Sequence, residues 1–313
     1  MVENIKFSIL VPTYKSKFLD ECIKSILSQT YTNFELVIVN DHSPENITEI
    51  VRKYNDSRIK YYVNKSNCGA INVVDNWNIC LEYATGEYTL CMGDDDALLP
   101  NCLFLYKQYI DKYPSVNVLH MRTQLINEQS KVLKTLEERP IQESSYEILL
   151  GRWKGRRQFI GDFLYKTSTL KSDGGFVKIP MGLASDDLTA IYQAKDKGCV
   201  NINTPGFLYR DSDMTISNNG RCEVLLKAIG DIERHLDTIL DWKVTSENLD
   251  VKTELLQLRK KHKQTLQYSV MAHSMASKPW TLCSMIAMSM RYKINIFMTL
   301  KAFLSGCYHF LKN

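Results

Sequence analysis

Four short segments in the first hundred residues, KFSILVP, FELVIVN, RIKYYVN and EYTLCM, are rich in β-branched and aromatic residues, as strands are. Between them, FLDECIKSILSQ and AINVVDNWNICLEYA place apolar side chains at helical spacing: Ala70, Val73 or Val74, Trp77, Leu81 and Ala84. Strands alternating with helices predict an α/β fold with a mainly parallel sheet covered on both faces. In such sheets ligands collect at the carboxyl ends of the strands, usually where the strand order reverses. Here those ends read VPTYKS, NDHSPEN, NKSNCG and GDDDALLP, so polar and acidic residues gather on one rim.

After Pro100 the pattern changes. A helix, NCLFLYKQYIDKY, leads to a strand, VNVLHMR, and then to a polar stretch, Thr123 to Glu143, read as loops and edge strands. Order resumes at QFIGDFLYKTSTL, and CVNIN and GFLYRDSD read as two further short strands. From Arg221 onward the pattern is helical, with Leu225, Ile229, Ile232, Leu236 and Ile239 on one face of the first helix.

Composition narrows the function classes. The chain has 313 residues with a net charge of +4, too small an excess for a basic nucleic-acid-binding face, so no nucleic acid is expected as a partner. Its nine cysteines are scattered, odd in number and without a C-x-x-C pair, which suits a reducing cytosol rather than a disulfide framework or a zinc site. MVENIKFSILVPTY lacks the features of a secretory signal, and no stretch reaches the ~18 apolar residues of a membrane span. A place on the cytoplasmic side is therefore expected.

Three acidic clusters carry the chemistry. Asp94, Asp95 and Asp96 follow a strand, and adjacent carboxylates must be either fully solvated or offset by a cation. Mg²⁺ or Mn²⁺, which joins a couple of carboxylates to a substrate diphosphate, is the natural partner. A solvated turn, or Asp96 as the cap of the next helix, is the plain alternative. Asp41, in NDHSPEN, could accept hydrogen bonds from a nucleobase edge such as uracil N3–H, or could cap a helix together with Ser43. Asp186 and Asp187 open an amphipathic helix; they complement its dipole, or one of them is a general base toward an acceptor hydroxyl.

With those residues in view, the chain resembles glycosyltransferase family 2, whose members use the nucleotide-sugar-binding GT-A fold. The likeness rests on four ordered motifs over about residues 5–217: FSILVPTYKSKFLDECIKSILSQTYTNFELVIVNDHS; GDDDALLP; KSDGGF with SDDLTAIYQAKDKG; and YRDSDMTIS. The resemblance implies an inverting, metal-dependent transfer from a nucleotide sugar, most plausibly a UDP-sugar, to a saccharide or lipid-linked saccharide in cell-surface polysaccharide synthesis. It implies that Pro12, Thr13 and Tyr14 line the base and ribose pocket and that Asp41 reads the base. Asp94 would contact ribose or the metal, Asp95 and Asp96 would hold Mn²⁺ or Mg²⁺, and Asp187, with Asp186 second, would be the catalytic base. Residues 1–100 would be the donor-binding half, 101–220 the acceptor-binding half and 221–313 a helical extension. The chain departs from the pattern at Gly93, where the family often has Asp; at His42 and Ser43, in place of Gly-Ser; and at Lys15, in place of Asn.

Other features stay open between two readings. Arg210 ends the last strand and reaches a diphosphate or forms a structural ion pair. Arg152, Lys154, Arg156 and Arg157 surround Trp153 in a loop that either closes over phosphate or is simply solvated. His42, His120 and His235 belong to no triad and are treated as ordinary. The basic, apolar tail with Trp280 either lies on an anionic membrane surface or packs against the catalytic region or a second copy as a homodimer. Competing classes are a sugar-phosphate nucleotidyltransferase, disfavoured because VPTYKS has no glycine; a NAD-dependent oxidoreductase, disfavoured by the lack of G-x-G-x-x-G; and a non-catalytic protein of the same fold.

Overall fold

The computed structural model describes residues 4–211, 222–277 and 282–312. Strands β1 (Phe7–Thr13), β2 (Phe34–Asn40), β3 (Ile59–Val63) and β4 (Tyr88–Cys91) alternate with helices α1 (Leu19–Leu27), α2 (Ile47–Arg52) and α3 (Val73–Tyr83). A two-residue strand, β5 (Ala97–Leu98), precedes α4 (Cys102–Lys112). Then come β6 (Val118–Ile126), β7 (Val132–Thr135), β8 (Gln142–Glu143), α5 (Ser145–Trp153), β9 (Phe163–Lys166), α6 (Thr167–Ser172), α7 (Ser185–Gln193) and β10 (Cys199–Arg210). Four helices close the chain: α8 (Cys222–Leu240), α9 (Leu249–Ser277), α10 (Leu282–Arg291) and α11 (Ile296–Lys312). The chain divides into two compact units, Met1–Lys178 with Ser185–Ser212, and Ile179–Ala184 with Asp213–Asn313.

In the first unit the strands order as β3-β2-β1-β4-β9-β6-β10-β5, with β7 on β6 and β8 on β10. The β1–β2, β2–β3, β1–β4 and β6–β10 pairs are parallel, while β9 runs antiparallel to β4 and β6. The order reverses between β1 and β4, and a crevice opens beyond the carboxyl ends at such a point. Strand β1 is inaccessible on both faces, with Phe7, Ser8, Ile9, Leu10 and Val11 fully buried, which is why its sequence is a continuous apolar run rather than an alternating one. Helix α1 covers one face through Leu19, Cys22, Ile23 and Ile26, the i, i+3, i+4, i+7 stripe of a helix half in the core.

Two sequence expectations are revised. CVNIN and the GFLYR of GFLYRDSD form one strand, β10, because β6 pairs along its length and absorbs Pro205 through register shifts on either side of it, while Ser212 and Asp213 lie outside the described residues. The basic segment around Trp153 is not a free loop. Its first part is the end of α5, started by a Ser144/Glu147 capping box, and Arg152 and Arg156 are ion-paired with Asp187 and Glu143. In the second unit, Leu226, Ile229, Ile232, Leu236 and Ile239 of α8 are buried, close to the stripe read from sequence.

At the amino end of the sheet, the Glu35 carboxylate accepts from Ser8 Oγ (2.6 Å), Lys6 Nζ (2.9 Å) and the Thr85 amide (2.6 Å), joining β1, β2 and the turn before β4. Burial pushes this carboxyl up, but the hydrogen bonds win and hold it at about 2, below its ordinary 4.5. Because the folded value is the lower one, the stabilisation is present above pH 4.5 and is lost as pH falls toward 2. Glu35→Gln should therefore lower stability by about 2–3 kcal/mol at pH 7, with the deficit vanishing near pH 2. Urea titrations at several pH values test this; parallel curves for the two proteins would refute it.

Candidate active site

The acidic triplet sits where β4 leaves the sheet beside the end of β1. Met92 is buried and the chain turns at Gly93, where a Cβ would fall 2.8 Å from Asp95 Oδ1 and 2.9 Å from Asp96 Oδ2. Only a residue without a side chain lets both carboxylates fold back this closely, which accounts for the departure from Asp at this position.

The three acids then take different partners. Asp94 Oδ2 accepts from Thr13 Oγ1 (3.0 Å), the Tyr14 amide (2.8 Å) and the Lys15 amide (2.8 Å), clasping the turn after β1. Burial and the neighbouring Asp95 charge push its carboxyl up to about 6 against the pull of those amides. Asp96 is buried, accepting from the Arg210 amide (3.0 Å) through Oδ1 and the Gly93 amide (3.3 Å) through Oδ2. Burial and Asp95 raise it strongly. Helix α4 is preceded by Asn101 and α2 by Asn46, so neither Asp96 nor Asp41 is a helix cap.

Among the described residues, the Asp95 carboxylate takes no hydrogen bond from another side chain, and burial raises it while Lys15 and Arg210 oppose the shift. No three His, Cys, Asp or Glu side chains among the described residues gather into a cage. The donor set still fits a hard divalent ion, since Mg²⁺ and Mn²⁺ are commonly held by one or two carboxylates, water and the substrate's own phosphates. Of the three, Asp95 is the carboxylate that no other described side chain engages.

Arg210 is 1 % exposed; two of its guanidinium nitrogens donate hydrogen bonds and the third is ion-paired without one. Nε donates to the Asp95 carbonyl (2.7 Å), one terminal nitrogen donates to the Asn127 carbonyl (2.9 Å) and Ser130 Oγ (3.0 Å), and the other lies 2.9 Å from Glu21 Oε2, with the Phe18 ring beneath. Of the two sequence readings for Arg210, this geometry is that of the structural ion pair. It places a fixed positive charge behind the triplet.

Asp41 joins the same crevice. Its amide donates to the Thr13 carbonyl (2.9 Å), and its carboxylate accepts from Asn64 Nδ2 (2.8 Å) and the Cys68 amide (2.9 Å) on the turn after β3. The next residue, His42, has φ +50°, a left-handed conformation that explains why glycine is common at this position. Pro12, Thr13 and Tyr14 lie on the rim between Asp41 and Asp94, and Tyr14 is 43 % exposed.

The second acidic centre opens α7. Asp187 Oδ1 accepts from Arg152 Nε (2.7 Å) and Gln158 Nε2 (2.7 Å), while its amide donates to Asp186 Oδ1 (2.9 Å). Burial and the Asp187 charge push the Asp186 carboxyl up to about 8, with Arg152 opposing. The Arg152 guanidinium faces Asp187, while Asp186 is turned to the Asp187 amide. The turn at 158–162 touches both centres: Gln158 holds Asp187, and Gly161 packs against Phe207 and Met92, one residue before Gly93. Asp41 and the triplet thus share Thr13 as a partner, and Asp187 is joined to the strand that carries the triplet through the turn at 158–162. A separate cavity lined by Thr85, Gly86, Glu87 and Lys166 opens at the other end of β4 and is not part of this site.

Sequence reasoning missed the polar layer behind Asp187. Asp162 is fully buried, accepting from Thr123 Oγ1 (3.1 Å) and the Phe159 amide (3.2 Å) through Oδ2, with His120 Nε2 at 3.5 Å. Burial and nearby Arg139 hold His120 down at about 4, so the imidazole is neutral. A lone Asp inside the apolar run QFIGDF was the available signal.

Comparison with known proteins gives the family and the fold. The profile described as Glycosyl transferase family 2 matches residues 8–171. A UDP-Glc:α-D-GlcNAc-diphosphoundecaprenol β-1,3-glucosyltransferase, WfgD from Escherichia coli, is 30% identical over 134 residues, covering 42% of this chain and 51% of its own. The matched segments span 19% to 51% of the first curated relatives' lengths. Residues 1–349 of Staphylococcus aureus TarS superpose with a TM-score of 0.60 at 20% identity, covering 88% of this chain and 81% of that one. A mannosyltransferase from Pyrobaculum calidifontis, solved with GDP-Man and Mn²⁺, superposes with a TM-score of 0.58 at 17% identity, covering 99% and 88%. These likenesses show the fold as GT-A. By the extent of the profile match, over half its length, the chain belongs to glycosyl transferase family 2.

Proposed function

We propose that this glycosyltransferase moves a sugar from a nucleoside diphosphate donor, a UDP-sugar in the first instance, to a hydroxyl of a saccharide or lipid-linked saccharide, with inversion at the anomeric carbon. The reading rests above all on one observation: Asp187 is oriented through Oδ1 by Arg152 and Gln158, leaving Oδ2 as the oxygen to receive a proton. WfgD is named for a diphosphoundecaprenol acceptor, and TarS was solved with UDP-GlcNAc, which supports this donor and acceptor class.

In the proposed step, Asp187 takes the acceptor proton as the acceptor oxygen bonds to C1, and the bond from C1 to the diphosphate oxygen breaks, its electron pair leaving with the nucleoside diphosphate. Asp186, whose carboxyl is pushed up by burial and the Asp187 charge and whose Oδ1 accepts from the Asp187 amide, is the second choice for the base. Asp94 holds the turn of Thr13 and Tyr14 in position for base and ribose, and Asp41 fixes the adjoining edge of that pocket. Asp95, with Asp96 behind it as a second candidate, would hold a divalent ion; when bound, it neutralises charge on the departing diphosphate. Residues 1–100 would supply the donor-binding half and 101–220 the acceptor-binding half, with polysaccharide synthesis at the cell surface as the setting.

Asp187→Asn should cut donor-dependent turnover by about 10²- to 10⁴-fold while nucleotide affinity stays within roughly twofold. Asp186→Asn should keep most of the turnover, and a larger loss from Asp186 than from Asp187 would reverse the two roles. Asp95→Asn should weaken UDP binding roughly tenfold or more in Mn²⁺ and leave binding without the metal unchanged. Calorimetry in Mn²⁺ and in EDTA reads this directly; equal affinities for both proteins would move the metal elsewhere.

A further inference from the structure

The second unit carries a surface that sugar transfer does not use. Its core joins Leu226 and Ile229 of α8, Val270 and Met271 of α9, Met285 of α10, Ile294, and Ala302 of α11. Helix α11 buries Thr299 and Ala302 completely. At about 100° per residue, Ile296, Leu300, Leu304 and Phe297 fall within a single arc of about 100°, and Thr299 and Ala302 lie outside it. That arc is open: Phe297 is 77 % exposed and Leu304 68 %, and Met290 at the end of α10 adds 75 %. Four large apolar side chains in one exposed stripe mark an interaction surface rather than scattered exposure.

Charge identifies the occupant. From residue 255 to 313 there is no Asp or Glu, whereas Lys and Arg number nine. Arg259 and Lys263 are drawn to Glu233, and Arg291 to Glu223, so these three are partly offset by α8. Lys301, beside the stripe on α11, lies over the Tyr268 ring, and Lys293 is exposed at the turn before it. A second copy docked through the same face would set lysine against lysine with no acid in the segment to compensate. An anionic lipid surface meets both the apolar arc and its basic border.

We propose that α11 docks in the plane of an anionic bilayer through Ile296, Phe297, Leu300 and Leu304, with Lys293 and Lys301 at the headgroups. No helix among the described residues is long and apolar enough to cross a membrane, so the contact is one of lying on the surface. Trp280, set near the headgroups by one of the two sequence readings of the tail, lies outside the described residues. The proposal rests on the glycosyltransferase reading only in what the surface would deliver, a lipid-linked acceptor.

The test is flotation of the full chain with vesicles of phosphatidylcholine alone or with 30 % phosphatidylglycerol, without nucleotide. We expect at least about tenfold more protein on the anionic vesicles, reduced by high salt. F297S/L304S should lose about tenfold of that binding, with the circular dichroism spectrum and donor hydrolysis in solution unchanged. If that variant misfolds, Lys293→Glu tests the same face through charge alone and should weaken binding severalfold. Equal binding to both vesicle types, or variants that float like the parent, would overturn the proposal. So would light scattering that shows the parent as a dimer and F297S/L304S as a monomer, which assigns the stripe to a second copy. Flotation needs no turnover, so its failure with donor hydrolysis intact counts against the membrane surface alone, and the converse against the catalytic reading alone.

Discussion

Three adjacent carboxylates brought into a partly buried turn are the constraint on which the rest of this structure depends. Left unpaired, their mutual repulsion and desolvation would unfold the turn or force water into it. The protein separates their roles instead. Asp94 is given to the turn after β1 and Asp96 to the amides of Gly93 and Arg210, while the Asp95 carboxylate takes no hydrogen bond from another described side chain and Arg210 is bonded to its carbonyl. Each acid that is satisfied internally fixes a part of the pocket wall, so the electrostatic cost of the triplet is converted into geometry.

Arg210 shows how far that geometry reaches. Its guanidinium ties together the triplet, the turn between β6 and β7 through Asn127 and Ser130, and the first turn of α1 through Glu21. A buried arginine paired in this way is costly to move, which holds these three segments together. The same logic recurs at α7. Asp186 and Asp187 are chemically identical neighbours, yet burial pushes the carboxyl of one up while Arg152 and Gln158 orient the other. Environment rather than residue type divides the work.

Much of the framework was legible in the linear pattern because its physical causes are local. The continuous apolar run of β1 signals burial on both faces, the stripe of α1 signals its packing face, and acids that follow strands signal a rim. The GDDD stretch and the Asp186–Asp187 pair were visible for the same reason. Asp162, Gln158 and the neutral His120 were not, since each is isolated in sequence and acquires meaning only from partners 29 to 42 residues away. The continuity of β10 was hidden by Pro205, whose tolerance depends on a bulge against β6.

The alternation of strands and helices in the first hundred residues, the positions of the acids and the basic, acid-free tail were determined by the sequence alone, because short-range periodicity and charge do not wait for a fold. Only the tertiary structure decided which carboxylate of the triplet stays open, which way Arg210 points, which of two adjacent aspartates is held by a guanidinium and which apolar side chains of α11 are left uncovered. Those outcomes depend on distances across the sheet and between helices, and no linear spacing encodes them until the chain has closed on itself.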